Sequence, residues 1–233
     1  MRWKLKDSSD VDIEKSIVDV FPIPGQRERG RQPMAYVVSA EKERLKNYVS
    51  VIEKNDLNLK SIDITALALR NIASKFPEDE MGVAFLSLYA KQGLLSLSRN
   101  CNLYLARDLD VGYENFSTGL ENANNQTMAS DLQLEGQLPV TEQSLEQIVL
   151  EVQRSMDYYE RYFAQPPIQS LVLAPMPILI PGLADEIAQQ LGMKVREMDI
   201  TEIVDIQQQD IDRNMQSKCL SAVGAALRMT MAA

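Results

Sequence analysis

The stretch Val83-Ala84-Phe85-Leu86-Ser87-Leu88-Tyr89, Lys91-Gln92-Gly93, Leu94-Leu95-Ser96-Leu97-Ser98, Arg99-Asn100-Cys101-Asn102, Leu103-Tyr104-Leu105-Ala106 decides the fold. Three short apolar runs separated by brief turns bearing Gly and Asn read as an antiparallel meander. Downstream, Leu145, Ile148, Val149, Val152, Met156, Tyr159 and Phe163 recur at helical spacing, predicting a long helix from a Thr141 cap to Phe163, where Pro166-Pro167 stop it. Leu171 to Ala174 is a fully apolar strand. Pro181-Gly182 open a helix over Leu183, Ile187 and Leu191, closed by Gly192, and a strand over Lys194 to Asp199 completes a β-α-β crossover. Consecutive apolar positions at Val83 to Tyr89 and Leu171 to Ala174 suit a sheet covered on both faces.

Upstream, Ile17 to Phe21 and Met34 to Val38 are β-branched runs, expected to pair as a long-looped hairpin. A helix over Glu41 to Ile52 follows, with Leu45, Tyr48, Val49 and Ile52 on one stripe, Ser39 as its expected cap and a stop at Asn55-Asp56. A further strand is expected over Leu59 to Ile64. After it comes a buried helix around Ala66 to Arg70 that ends before Phe76-Pro77. The predicted organisation is a small α+β unit over residues 1–58 and an α/β lobe over 59–233. The lobe carries a polar loop around 110–140 and a closing small-residue helix, Leu220 to Met229, packed on the sheet. That last helix is too short for a membrane span and carries Arg228.

The chain has 233 residues, no histidine and a formal charge of -9, with 33 acidic against 24 basic side chains. Without an imidazole, the Ser-His-Asp relay, Cys-His proteolysis, histidine-ligated zinc hydrolysis and histidine phosphotransfer are excluded. The acidic balance disfavours nucleic acid, since the one basic cluster, Arg27 to Arg31, is short and interrupted by Glu28. Cys101 and Cys219 read as two buried free thiols in a reducing compartment. Neither a signal peptide nor a stretch of about 20 apolar residues is visible, so a cytoplasmic protein with no direct membrane insertion is expected. Pro77-Glu78-Asp79-Glu80 reads as a solvated acidic loop and holds no calcium-loop spacing. Tyr159 belongs to the core face of its helix, while Tyr158 and Tyr162 share a flank. No P-loop, Gly-x-Ser-x-Gly or Gly-x-Gly-x-x-Gly sequence occurs.

Several segments in register carry a resemblance. They are Arg2-Trp3-Lys4, Ile62-Asp63-Ile64 with Ala66-Leu67-Ala68-Leu69-Arg70, Glu151 to Tyr159, Ile180-Pro181-Gly182-Leu183-Ala184 with Leu191-Gly192, and Ala222 to Arg228. Together they resemble the PilM family of type IV pilus assembly proteins, most closely its branch in mannose-sensitive haemagglutinin (MSHA) pilus systems. The resemblance implies an α/β, actin-like lobe of the FtsA and PilM type, with a ribonuclease H-like sheet and a small α+β subdomain at the N-terminus. It also implies a cytoplasmic scaffold, peripheral to the inner membrane, that binds the N-terminal cytoplasmic tail of a bitopic pilus protein. A homodimer is a further expectation. The residues expected to meet the tail are Val18, Val20, Tyr36, Val38 and Tyr48, on the hairpin and the helix that follows it, with the net charge favouring a basic tail.

The same resemblance marks a degenerate nucleotide cleft. The chain is expected to start past the first phosphate hairpin of this superfamily. The second hairpin, where an Asp-x-Gly turn is expected, reads Ser87-Leu88-Tyr89-Ala90-Lys91-Gln92-Gly93, with no acid and with Tyr89 crowding the turn. Asp110-Val111-Gly112 matches the tripeptide but follows the third strand, so it is read as coincidental. The adenosine segment corresponds to Ala174-Pro175-Met176-Pro177, where prolines replace the glycines that permit close approach. Neither ATP nor a metal is therefore expected, and no catalytic residue is assigned. The rival expectations are an active ATPase whose first phosphate segment lies upstream, and a sugar-kinase-like enzyme of the same fold. The latter needs a catalytic aspartate, and no Asp here has a recognisable motif around it.

Overall fold

The computed structural model describes residues 14–24, 34–116, 142–205 and 211–228, in two compact units, Met1–Asp63 and Ile64–Ala233. The Arg2-Trp3-Lys4 segment, the basic cluster at 27–31, the Thr141 cap, residues 117–140 of the polar loop and the helix end at Met229 lie outside the described residues.

In the N-terminal unit, β1 (Ser16–Pro22) pairs antiparallel with β2 (Ala35–Glu41), and α1 (Lys42–Lys54) follows at once. The helix contacts β2. Ser39 does not cap it. Ser39 lies inside β2 opposite Val18, and the N-cap position falls on Glu41, with no side-chain bond. The strand run continues further than its β-branched core suggested, so the backbone turns helical only after Glu41. Residues 59–64, expected as a strand, pair with no other strand. Their alternation gives neither side a consistent apolar set, Leu59, Ser61 and Asp63 against Lys60, Ile62 and Ile64, and Ile62 is exposed.

In the C-terminal unit, α2 (Thr65–Ala73) buries Ala66, Ala68, Leu69, Ile72 and Ala73. Its continuation is blocked at Phe76-Pro77, where a 3₁₀ turn, Pro77–Glu80, begins. The meander forms as β3 (Val83–Leu88), β4 (Gly93–Arg99) and β5 (Asn102–Leu109). After α3 (Glu142–Phe163), β6 (Ser170–Leu173), α4 (Leu183–Leu191) and β7 (Lys194–Glu197) make the crossover. The sheet order is β5-β4-β3-β6-β7, antiparallel within the meander and parallel from β3 through β6 to β7. Every residue of β3 and β4 is buried, as a central, twice-covered strand requires. On α3, Leu145, Ile148, Val149, Val152, Tyr159 and Phe163 face the core, and Tyr104 of β5 meets the Tyr159 ring edge-on at 5.3 Å. Ser155, not Met156, completes that face, its hydroxyl turned back to donate to Glu151 O at 2.7 Å.

Three further readings need correction. The last helix, α5, runs Arg213–Ala226, because Asp212 caps it through the Met215 amide. Its polar first turns hide a buried Gln216, whose amide is satisfied by Ile200 N, Asp199 Oδ2 and Ile211 O. It packs on α2, not on the sheet. A methyl group at Gly224 would come within 2.2 Å of Ala68 O, and Asn71 Nδ2 donates to Gly224 O. The thiols are not buried: Cys101 is exposed and Cys219 half-buried. Cys101 sits in a left-handed turn (φ 62°) on a hairpin tip, where no packing covers it. Finally, the 77–80 acidic segment is solvated only in part, with Glu80 exposed. Asp79 is buried and accepts from Cys101 N and Ser98 Oγ, while Glu78 pairs with Arg196.

Candidate functional site

The residues singled out in the sequence fall on two surfaces, one in each unit. In the hairpin, Lys42 N donates to Lys15 O and Ile23 N to Met34 O, so the pairs 15/42 and 23/34 exchange ladder bonds. Because hydrogen-bonded pairs alternate along an antiparallel ladder, every odd position of β1 points its amide inward. Ser16, Val18, Val20 and Pro22 on β1, and Ala35, Val37, Ser39 and Glu41 on β2, therefore turn their backbone groups outward. Side chains directly opposite share a face. Val18 and Val20 lie with Val37 and Ser39 on one face, and Tyr36 and Val38 lie with Phe21 and Asp19 on the other. The Phe21 and Tyr36 rings stack there at 5.1 Å.

The residues expected to contact a partner are thus brought together as two pairs on opposite faces, all four half-buried, with Tyr48 exposed on α1. Val37, 41% exposed beside Val20, joins the first pair. Sequence reasoning passed over it because apolar content alone does not reveal which way an amide points. The parity of the ladder does.

The second surface is the sheet edge at the carboxyl ends of β3, β5 and β6. Tyr89 N donates to Gln92 O at 2.7 Å and closes the β3–β4 turn. The chain after β5 folds onto that turn. Tyr113 N donates to Tyr89 O at 2.8 Å and Glu114 N to Ala90 O at 3.0 Å, while Gly112 N donates to Asn115 Oδ1. Gly112 is required there, since a Cβ would stand 2.4 Å from both the Tyr89 and Ala90 carbonyl oxygens. At Gly93 a Cβ would meet Val111 O and Leu88 Cδ2 at 3.0 Å. Asp110-Val111-Gly112 thus lies against the hairpin turn without being part of it.

The Ser87 hydroxyl is buried with no partner of hydrogen-bonding geometry. Beside it and Ser221 lies the Tyr89 hydroxyl, whose pKa burial pushes up. Beyond β6, Ala174 N donates to Leu86 O at 2.8 Å, and Ala174, Pro175 and Met176 are buried.

A phosphate would need backbone N–H groups presented by an open turn. Here the Tyr89 N–H is committed to Gln92 O within the turn, and Pro175 removes a donor from the segment after β6. Among the described residues, no group of three or more His, Cys, Asp or Glu gathers as a metal site.

The meander joined to parallel strands through its first member, with a helix before β6 and another between β6 and β7, defines an actin-like α/β protein. The chain is similar to one from a PilM–PilN type IV pilus biogenesis complex at TM-score 0.69 and 19% identity, covering 97% of this chain and 70% of that one. Weaker likenesses include the ethanolamine utilization protein EutJ from Carboxydothermus hydrogenoformans (TM-score 0.49, 14% identity, 78% of this chain and 60% of that one). MreB 5 of Spiroplasma citri is another (TM-score 0.43, 10% identity, 80% and 63%). No curated protein matches the sequence. The sequence model of the family described as type IV pilus assembly protein PilM matches residues 23–230, and the chain belongs to that family.

Proposed function

We propose that the protein is a non-catalytic scaffold of type IV pilus assembly, the MshI-like member of an MSHA-type system. In this reading it sits at the cytoplasmic face of the inner membrane, held there by the N-terminal cytoplasmic tail of a bitopic, PilN-like partner. The observation that carries the reading is membership of the PilM family over residues 23–230. Support for a tail-bound rather than inserted protein comes from the helices, since no described helix is long and apolar enough to cross a membrane. The hairpin supplies what an extended peptide needs, namely outward main-chain groups flanked by half-exposed apolar side chains. Support for the absence of turnover comes from a turn sequence without an acid to orient magnesium and from Pro175, which has no N–H to offer a nucleotide.

Calorimetric titration of the full chain with synthetic cytoplasmic tails of the pilus system's bitopic proteins tests the reading. One tail is expected to bind with micromolar or tighter affinity, and the same preparation is expected to show no Mg²⁺-dependent ATP hydrolysis. A folded protein that binds no tail, or a turnover abolished by changing one carboxylate, contradicts it.

A further inference from the structure

The core takes one side of α3, and among the residues outside it is a ridge at every fourth position, Leu150, Arg154, Tyr158 and Tyr162. Leu150 is 44% and Tyr162 51% exposed, Arg154 is exposed and Tyr158 half-buried. Covering such apolar bodies is favourable. The aromatic half of the ridge is fixed in place beforehand. The Tyr158 and Tyr162 rings stack with centroids 4.2 Å apart and planes 18° from parallel, and Tyr158 meets the buried Phe163 edge-on at 5.8 Å. Arg154 is tethered through Nη1 to Glu151 Oε1 at 2.8 Å. Side chains ordered in this way lose little freedom when a partner covers them.

The order of the four side chains says what fits. Ridges at i±4 spacing lie side by side when two helices cross in their commonest class. A two-fold axis at the height of residue 156 sets this ridge beside its own copy running the other way. Leu150 then meets Tyr162 of the second copy and Arg154 meets its Tyr158, and each pair forms twice. An aliphatic side chain on an exposed ring and a guanidinium on a ring face are both favourable contacts. A parallel pairing would set Arg154 against Arg154.

We propose that this ridge is a self-association surface, on which two copies of the chain join through antiparallel α3 helices. The inference stands apart from tail binding and from the pilus reading. Two features make the contact weak. A single helix pair is smaller than the roughly 1,200 Å² that stable interfaces bury. Like charge also opposes it: residues 64–233 hold 12 basic against 22 acidic side chains, whereas residues 1–63 hold 12 and 11. Dimerisation is therefore expected with a dissociation constant on the order of 100 µM, and it strengthens as added salt screens the repulsion.

The test is sedimentation equilibrium of the full chain from about 10 to 500 µM, where the mean mass is expected to rise from monomer towards dimer. Leu150→Asp and Tyr162→Asp, both at exposed positions, are expected to weaken association about tenfold or more. Gln190→Asp, which adds the same charge on the exposed face of α4, is expected to change it little. Register is read by cross-linking in chains that also carry Cys101→Ser and Cys219→Ser. Oxidising a mixture of the Leu150→Cys and Tyr162→Cys chains with oxidised glutathione is expected to give a disulfide-linked heterodimer, while neither chain cross-links alone. A monomer throughout the range, or association untouched by both aspartates, overturns the proposal. Cross-links between matched positions overturn it as well, since they place the helices parallel. So does growth past the dimer mass, because an isologous contact closes at two.

Discussion

Gly224 marks a close approach of two helices in the C-terminal unit, with Ala68 O only 2.2 Å from where a methyl group would stand. Helix propensity alone favours alanine over glycine by about 1 kcal/mol, but the atom in the way is backbone and cannot rotate aside. Overpacking costs roughly 1–3 kcal/mol, and a contact this short belongs at the upper end. Gly224→Ala is therefore expected to lower stability by about 2 kcal/mol in urea unfolding. A neutral or stabilising result would show that the two helices can separate freely. This constraint was half-legible. The run Ala222 to Ala226 announced close packing, but the partner surface proved to be a helix, and Asn71, whose amide clamps the Gly224 carbonyl, carries no sequence signal. Nor did Asp79 announce itself among three neighbouring carboxylates. Only the fold brings it beneath the hairpin tip at Cys101, where its burial and two acceptor bonds are visible.

Among the elements, the 3₁₀ turn at Pro77–Glu80 is tied to β7 by one arginine. Arg196 Nε donates to Glu78 Oε1 at 2.7 Å, Nη2 to Oε2 at 3.3 Å and Nη1 to Glu202 Oε2 at 2.9 Å, with the guanidinium 4.8 Å over the Phe76 ring. The hydrogen bond from Arg196 holds the Glu78 carboxyl below its ordinary range. A lowered folded-state pKa means the stabilisation is complete above the unfolded value of about 4.3 and is lost as pH falls through the folded value. The pair is partly solvent-screened, so its worth lies near the upper end of about 0–1 kcal/mol. Glu78→Gln should lower stability by about that amount at pH 7 and flatten the loss of stability below pH 4. Urea midpoints across that range check this, and a variant with an unchanged acid slope would count against it.

The elements that were legible, the meander, the long helix and the crossover, are those in which apolar spacing decides burial. Where a polar residue fills a buried position, as Gln216 does in α5, the pattern is silent. The reverse holds at Leu59 to Ile64, where the strand expected from the sequence has no partner strand. The ladder parity that turns the backbone groups of Val37 outward is likewise not written in hydrophobicity.

At the scale of the whole molecule, each unit carries one half of the account. The C-terminal unit has an actin-like sheet whose β3–β4 turn is bonded to the chain that follows β5, and it bears most of the negative charge. The N-terminal unit is nearly neutral and offers the strand edge. In the proposed reading the protein gains its place at the membrane through a partner and not through its own surface, since acidic surface is repelled by the anionic cytoplasmic leaflet. The central claim is that this attachment runs through one tail. Fractionation of cells expressing the full chain, with the partner intact or with only its N-terminal cytoplasmic residues deleted, measures it directly. The account predicts that the protein sediments with inner membranes in the first case and moves to the soluble fraction in the second. Retention on the membrane after the tail is removed would contradict it.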